Sequence, residues 1–464
     1  MCPRYAGGAI LLCSFLLVIA VSGCATDRVP GGMSSGIDVS GSGTSPVPVR
    51  QMTASIGSEP AEAVEPTGSL TLRQALSLAL MRNPDLAGSS WDIRAADARR
   101  LQASLLPNPE VELEVEDFGG VGARRGFDTA QSTFQIGQMI ELGGKRARRT
   151  RAAALEKDLA RWDYEAKRLD VLTEVAKNFV EVVAAQEKVA LSEDLLKLSE
   201  QVFHTVSERV KAGKVSPLEE TKSGVELANA RMELDKAGST LKGARKRLAN
   251  KWDQAEPGFQ KAEGTLEALR PIPSAEELNG LIARNPDVAR YVKETEQRKA
   301  AVDVEKAKRI PNITVKGGGR TYGETDDHAF VMSVSVPIPL FDRNQGGILE
   351  SQAKLSKAKE ESRAAVAKAN TNLAQAYQEL SSAYAEAVRL KDEIIPAAGL
   401  SFNSSNEGYM EGKFGFLVVL DAQRTLFESK AKYIEALSAY HKAVAEIERL
   451  TGTEIDTAIM SSGK

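Results

Sequence analysis

A sequence repeat constrains the fold of this chain more than any other feature. The segment Arg82-Asn83-Pro84-Asp85-Leu86-Ala87 returns as Arg284-Asn285-Pro286-Asp287-Val288-Ala289. Each copy leads through a charged, alanine-containing helical stretch to a proline break, at Pro107-Asn108-Pro109 and at Pro311-Asn312. Two short alternating segments and a very long helical pattern follow each break. Because a repeat constrains the fold class before local detail does, we predict a unit of helix, break, strand pair and longer helix that occurs twice.

Composition and motif content exclude several classes of function. The chain has 464 residues, a net charge of −3 and a pI near 6.0, so nucleic acid is not an expected partner. All three cysteines lie within the first 24 residues, which leaves no thiol for a disulfide or metal site further along. Neither a zinc-protease motif nor a phosphate-binding glycine loop nor a nucleophile elbow occurs. We therefore predict a protein that is not an enzyme and uses no cofactor or metal, with its three histidines solvated or interfacial: His204, His328 and His441.

The first residues are typical of a bacterial export signal. The apolar stretch from Ala9 to Val21 is too short to span a membrane as a stable helix. It ends on Val21-Ser22-Gly23-Cys24, which resembles a lipobox and predicts a signal peptide over residues 1–23 and a lipidated Cys24. An uncleaved anchor or an ordinary secretory signal is the alternative. Ala25 follows rather than Asp, which in Gram-negative lipoproteins favours the outer membrane. Residues 24–68 are rich in Gly, Ser, Pro and Val and predict a flexible tether.

Four segments alternate between apolar and polar residues. In the first copy, strands are predicted at about 109–117 and 129–141; in the second, at about 311–320 and 328–340. Gly317-Gly318-Gly319 is expected to open the loop of the second pair. Strands of about ten residues match the length that crosses a bilayer at a tilt. From alternation alone, soluble hairpins packed on helices remain an equal alternative.

The longest predicted elements are helical rods. A proline-free pattern runs from Gly144 to about Ala212, and a second runs from about Asn344 to Gly408 with only Pro396 interrupting it. At ~1.5 Å per residue the first would extend on the order of 100 Å. Apolar residues recur at alternating spacings of four and three, at Leu155, Leu159, Trp162, Ala166 and Leu169 in the first rod and at Leu373, Tyr377, Leu380, Tyr384 and Ala387 in the second. This spacing predicts a coiled-coil-like seam along each rod.

Each rod ends in a glycine-marked turn and returns as a shorter helix. The turns define predicted tips at about 213–217 and 409–416. We accordingly divide the mature chain into a first repeat over residues 69–264, a second over 265–456, and a tail over 457–464.

A membrane anchor and four half-apolar strands together predict an assembly. Only helices and closed barrels cross a bilayer, because unpaired backbone groups are too costly in hydrocarbon. Four strands cannot close, since the smallest spanning barrels have about eight. Three copies would supply twelve strands. The expected fold is therefore mainly α with a membrane β-barrel: a homotrimer with four strands per protomer, a 12-stranded barrel and long helical hairpins. A lipid-anchored coiled-coil scaffold without a pore is the alternative from another class.

Two junction motifs and one tip motif resemble a known family. Residues 138–146 and 337–346 lie where strands give way to helices, and Leu417 to Arg424 follows the second tip. In these stretches the chain resembles the TolC family of outer-membrane efflux proteins. Within that family it is similar to the heavy-metal branch, the cobalt-zinc-cadmium resistance outer-membrane component.

The resemblance implies a trimeric channel-tunnel in the outer membrane of a Gram-negative bacterium, with a long periplasmic portion. Such a channel receives heavy-metal cations from an inner-membrane RND pump through a periplasmic adaptor protein. The alternative is a channel of the same architecture that exports drugs or other small molecules. By position, the resemblance assigns gate roles to Tyr409 and Asp421, for which ordinary hairpin packing and helix capping are the alternative. Phe414 stands where a basic gate partner is expected, with Lys413 beside it.

The resemblance also implies that the tips dock the adaptor. The candidate docking residues are Gly213, Lys214, Val215, Ser216, Gly412, Lys413 and Phe414.

Overall fold

A computed structural model describes residues 65–282 and 285–452. The predicted signal peptide, Cys24, nearly all of the predicted tether and the tail over 457–464 lie outside the described residues. The chain divides into Met1–Ser58 and Glu59–Lys464, and every described residue belongs to the second unit. Within the described ranges, none of the helices combines the length and apolar composition that crossing a membrane requires.

The predicted order of elements occurs twice. The first half contains β1 (Ser69–Thr71), α1 (Leu72–Arg82), α2 (Pro84–Ser104), β2 (Glu110–Glu116), β3 (Gln131–Ile140), α3 (Lys145–Lys211) and α4 (Pro217–Ala249). The connection holds β4 (Lys261–Glu263) and α5 (Ala275–Asn279). The second half contains α6 (Pro286–Lys308), β5 (Ile313–Tyr322), β6 (His328–Ser335), α7 (Gln345–Arg389), α8 (Ile395–Met410) and α9 (Phe416–Thr451).

The repeated Asn-Pro pair begins α2 and α6. The side-chain oxygen of Asn83 accepts from the Leu86 amide at 3.1 Å, and that of Asn285 accepts from the Asp287 amide at 2.7 Å. Proline at the first helical position suits this start, because its missing N–H would have no helical partner. The side-chain nitrogens donate to carbonyls of distant residues, Asn83 to Lys251 at 2.8 Å and Asn285 to Leu450 at 2.9 Å. Asn83 therefore links the start of α2 to the turn that follows α4, and Asn285 links the start of α6 to the last residues of α9.

The four long strands form one antiparallel sheet in the order β2-β3-β5-β6. The expectation that Gly317-Gly318-Gly319 opens a loop is wrong, because these residues lie in the middle of β5. They pair with Phe134 to Ile136 on one side and with Phe330 to Met332 on the other. A Cβ on Gly318 would lie 1.8 Å from the Phe134 carbonyl oxygen. Glycine is needed here because two backbones approach closely, not because the chain turns.

A second, two-stranded sheet was not predicted. β1 pairs in parallel with β4, with Leu70 opposite Ala262. Both residues are buried in the main core, which also contains Phe179, Trp252 and Phe259. Strands of three residues are too short to show a period in the sequence.

The rods match the predicted lengths, and α3 has 67 residues. The predicted seam of α7 is buried at Leu373 and Leu380, which join a cluster with Val444 and Ile447 of α9. In α3 the predicted seam residues Leu155, Leu159 and Leu169 are only half-buried in the single chain. The main apolar burial in α3 lies farther along, between Val171 and Ala185.

Pro396 interrupts the second rod without ending it. A π-helical turn, Leu390–Ile394, joins α7 to α8 immediately before this proline. Proline has no N–H to donate and its ring crowds the carbonyl one turn earlier. A wider helical turn at that place accommodates the ring while the chain remains helical.

His441 departs from the expectation of a solvated or interfacial histidine. It is 2% exposed, and its Nε2 lies 2.9 Å from the Leu266 carbonyl, to which it donates. Burial lowers the pKa of His441, which favours the neutral ring. His204 and His328 are exposed as predicted. Among the described residues, no group of His, Cys, Asp or Glu is placed to hold a metal ion.

Candidate functional site

The candidate site begins at the two helix reversals. Gly213 has φ +70° and Gly412 has φ +78°, in the left-handed region that glycine adopts without strain. The Lys214 amide donates to the Arg209 carbonyl at 2.9 Å, and the Lys413 amide donates to the Gly408 carbonyl at 2.7 Å. Both bonds close the last helical turn in the manner of a glycine C-cap.

Tyr409 lies in a small apolar cluster behind the second tip. It is 5% exposed and packs with Val206, Phe416 and Val419. Its hydroxyl donates to Glu219 Oε2 of α4 at 3.0 Å. Burial and the Glu219 carboxylate raise the pKa of Tyr409 to about 12. The phenol is therefore a neutral hydrogen-bond donor over the whole physiological range.

Arg209, at the end of α3, is a basic residue in contact with Tyr409. Its Nη1 donates to the Tyr409 carbonyl at 2.8 Å, and its Cζ lies 4.5 Å from the centre of the Tyr409 ring. Arg209, Tyr409 and Glu219 thus join α3, α8 and α4. No sequence signal indicated the contact between Arg209 and Tyr409, because these residues are 200 positions apart.

Phe414 and Lys413, at and beside the position where a basic residue is expected, have other contacts. Lys413 is exposed and pairs with Glu411 at 2.5 Å. Phe414 lies against Gly408, where an added Cβ would meet the Phe414 ring at 2.2 Å. Gly408 is therefore required by the position of Phe414.

The structure does not bring the two predicted gate residues together. Asp421 has a side-chain exposure of 71% and pairs with Arg424, one turn farther along α9, at 2.9 Å. Among the contacts of the described residues, none joins Asp421 to Tyr409. Asp421 instead presents its carboxylate to the surface of the protomer.

The predicted docking residues form the two tips. Gly213, Lys214 and Ser216 are exposed, and Val215 is half-buried. Ser216 also caps α4, accepting from the Leu218 amide at 3.2 Å. Exposed large apolar side chains accompany them: Leu218, Met410, Phe414, Leu417 and Val418. Apolar side chains grouped on a surface are typical of protein–protein contacts.

The sheet is the second part of the candidate site, and its two faces differ. One face exposes apolar side chains: Val111, Leu113, Phe134, Ile136, Phe330, Met332 and Val334. The other face pairs its charges, with Lys316 Nζ 2.6 Å from Glu112 and Arg320 Nη2 3.1 Å from Glu116. The alternation in the sequence predicted both faces. Such a sheet can border hydrocarbon on one side and water on the other.

Comparison with known proteins identifies the family of this chain. The family described as "Outer membrane efflux protein" matches residues 75–252 and 278–453. The cobalt-zinc-cadmium resistance protein CzcC of Cupriavidus metallidurans is 37% identical over 388 residues, which cover 84% of this chain and 91% of CzcC.

Solved structures agree with the predicted fold. A CusC structure superimposes with a TM-score of 0.72 at 15% identity, over 82% of this chain and 92% of that chain. VceC of Vibrio cholerae superimposes with a TM-score of 0.68 at 16% identity, over 82% of this chain and 96% of that chain. The TolC-like resemblance is thereby confirmed, and with it the mainly helical channel-tunnel fold. The chain belongs to the outer membrane efflux protein family, whose members are efflux channels and not enzymes.

Proposed function

We propose that this chain is the outer-membrane channel of a tripartite efflux system that exports heavy-metal cations. The observation that carries the channel role is the sheet with one exposed apolar face, from one end of which both rods extend. The cargo is supported by the relative CzcC, a cobalt-zinc-cadmium resistance protein, at 37% identity. Passage is passive, and an inner-membrane RND pump supplies the energy.

The channel is a homotrimer with a 12-stranded barrel. In the described part of the chain, β2 and β6 each have a strand neighbour on one side only. Open strand edges are too costly in hydrocarbon. Pairing β2 of one protomer with β6 of the next removes every open edge and closes the ring at three copies.

Cys24 anchors the mature chain to the outer membrane through lipid. The support is Val21-Ser22-Gly23-Cys24 followed by Ala25. Several acyl chains bind a membrane stably, whereas one binds only marginally. Mass spectrometry of the purified protein is expected to find a triacylated Cys24 at the N-terminus. An unmodified N-terminus at another residue would rule the anchor out.

The tips dock a periplasmic adaptor, and the residues behind them hold the end closed. Gly213, Lys214, Val215 and Ser216 of the first tip, and Gly412, Lys413 and Phe414 of the second, form the docking surface. In the closed state Tyr409 is held by Glu219 and Arg209 of its own protomer. The exposed Asp421 carboxylate faces a neighbouring protomer across the closed end.

Substitution for CzcC tests the function and the tips in one assay. In Cupriavidus metallidurans lacking CzcC, this chain is expected to restore growth on cobalt, zinc and cadmium. Gly213→Arg and Gly412→Arg are expected to abolish that resistance, because each forces a bulky residue into a left-handed turn at the docking surface. The matched control is Gly238→Arg on the exposed side of α4, where an added Cβ meets nothing within 4 Å.

Two further measurements distinguish the possible outcomes of the resistance assay. They are the amount of trimer in the outer membrane and the conductance of purified protein in planar bilayers. Tip variants should keep a trimer while losing resistance, and normal export by both would contradict the docking role. Conductance without metal resistance would favour a channel for drugs or other small molecules. A wild-type protein that never conducts, even with its closed end disrupted, would favour the scaffold without a pore.

A further inference from the structure

The chain segments that leave one end of the sheet are unusually basic. The pairs Glu110–Gly137, Ile140–Ile313 and Thr314–Ser335 bring residues 105–109, 141–151, 303–312 and 336–346 to the same end. These segments contain nine basic and four acidic residues, in a chain of net charge −3. We name the nine basic residues the boundary cluster: Lys145, Arg146, Arg148, Arg149, Arg151, Lys306, Lys308, Arg309 and Arg343.

Part of the boundary cluster is neutralised within the protomer. Arg149 pairs with Glu141 at 2.8 Å, and Lys308 pairs with Glu305 at 2.7 Å. Arg146, Arg151 and Arg309 are exposed, and none has a carboxylate within ion-pairing distance in residues 65–282 and 285–452. The end of the sheet therefore presents uncompensated positive charge to its surroundings.

The boundary cluster lies away from the two edge strands of the sheet. Most of its residues follow β3 or precede β5, which are the two middle strands of the sheet. Arg148 Nη1 donates to the Asp303 carbonyl at 3.3 Å, so the start of α3 and the end of α6 are adjacent. A neighbouring copy that pairs at β2 and β6 leaves these middle elements uncovered.

Exposed apolar side chains border the boundary cluster on the side of the sheet. Ile140 and Ile310 are exposed, and Phe341 is 89% exposed. Beyond them the apolar face continues along the strands. Along the molecule, an exposed apolar band is thus followed by a band of positive charge.

The length of the strands places the positive charge of the boundary cluster at the depth of the lipid headgroups. Tilted strands of ten residues, as in β3 and β5, cross the hydrocarbon core of about 30 Å. Each headgroup layer adds about 5–8 Å. The residues from Lys145 to Arg151 cover about 10 Å of helix, and arginine side chains extend several ångströms along an apolar surface to place the guanidinium in the polar layer. Guanidinium groups bind phosphate oxygens with two parallel hydrogen bonds.

We propose that the boundary cluster binds the phosphate groups of anionic phospholipids in the leaflet from which the rods emerge. The proposal rests on the membrane insertion of the strands described under the proposed function. Anionic lipid is the occupant because the surface is positive, uncompensated and continuous with the apolar face. Bound lipid sets the depth of the strands in the bilayer.

The experiment compares lipid retention by three forms of the full-length protein. Wild type, the triple variant Arg146→Gln/Arg151→Gln/Arg309→Gln, and a control triple variant Arg231→Gln/Lys236→Gln/Arg363→Gln are reconstituted with phosphatidylglycerol and phosphatidylcholine. The control removes the same charge from exposed positions on α4 and α7. Native mass spectrometry counts the lipids that remain bound to each trimer.

Wild type and the control are expected to retain phosphatidylglycerol over phosphatidylcholine by about tenfold, because each arginine adds to the attraction of an anionic headgroup. The boundary variant is expected to lose that preference while its trimer and conductance persist. Equal retention by the boundary variant and wild type, or a conducting wild-type trimer without any preference, would overturn the inference and leave the channel function standing. A wild type that neither assembles nor conducts would instead overturn the channel function itself.

Discussion

Replacing Gly318 with alanine is expected to prevent assembly of the sheet. The added Cβ would lie 1.8 Å from the Phe134 carbonyl oxygen and 2.7 Å from the Gln135 Cα. Both atoms belong to the backbone of β3, so no side-chain rotation relieves the overlap. The strands must separate at the place where the two halves of the chain join, at a cost of about 3 kcal/mol or more. The measurement is the amount of trimer recovered from outer membranes.

Gly317→Ala is the matched control for that experiment. Gly317 is the preceding residue of the same strand, and a Cβ there meets nothing within 4 Å. This variant is expected to accumulate like the wild type. Equal recovery of trimer from both variants would show that the close approach of β3 and β5 does not determine assembly.

Replacing Arg209 with alanine is expected to raise the conductance of the closed channel by about tenfold or more. The substitution removes a charged hydrogen bond and a cation–π contact, together about 2 kcal/mol or more, from the closed state. Loss of that free energy shifts the closed–open equilibrium by at least about a factor of ten. Single-channel recording in planar bilayers measures the change.

Three further variants separate the contacts of Arg209. Arg209→Lys retains the charge but loses the planar guanidinium, so an intermediate conductance is expected. Tyr409→Phe retains the ring under Arg209 and loses only the 3.0 Å bond to Glu219. Arg231→Ala, at an exposed site 3.9 Å from Glu200, should leave conductance unchanged. Wild-type conductance in both Arg209 variants would refute a closing role for this contact.

The sequence by itself determined the features that local periodicity encodes. The order of helices and strands, the length of the rods and the two faces of the sheet follow from spacings of two and of three to four residues. The Asn-Pro starts and the glycine turns at the tips follow from the conformational preferences of single residues. Three of the long strands begin and end within two residues of the predicted bounds, whereas β6 ends at Ser335 and not at 340, because Pro337 and Pro339 cannot donate to a neighbouring strand.

Only the tertiary structure decided which distant residues meet. The repeat marks Asn83 and Asn285 as equivalent positions, but the bond from Asn83 to Lys251 depends on the return of α4 to the same level. Gly317-Gly318-Gly319 has the composition of a loop, and only its pairing with β3 identifies it as part of a strand. The roles of Arg209 and Glu219 become visible only when Tyr409 of α8 is placed against both α3 and α4. In each case the deciding contact joins residues far apart in the chain, and no local period records a contact of that kind.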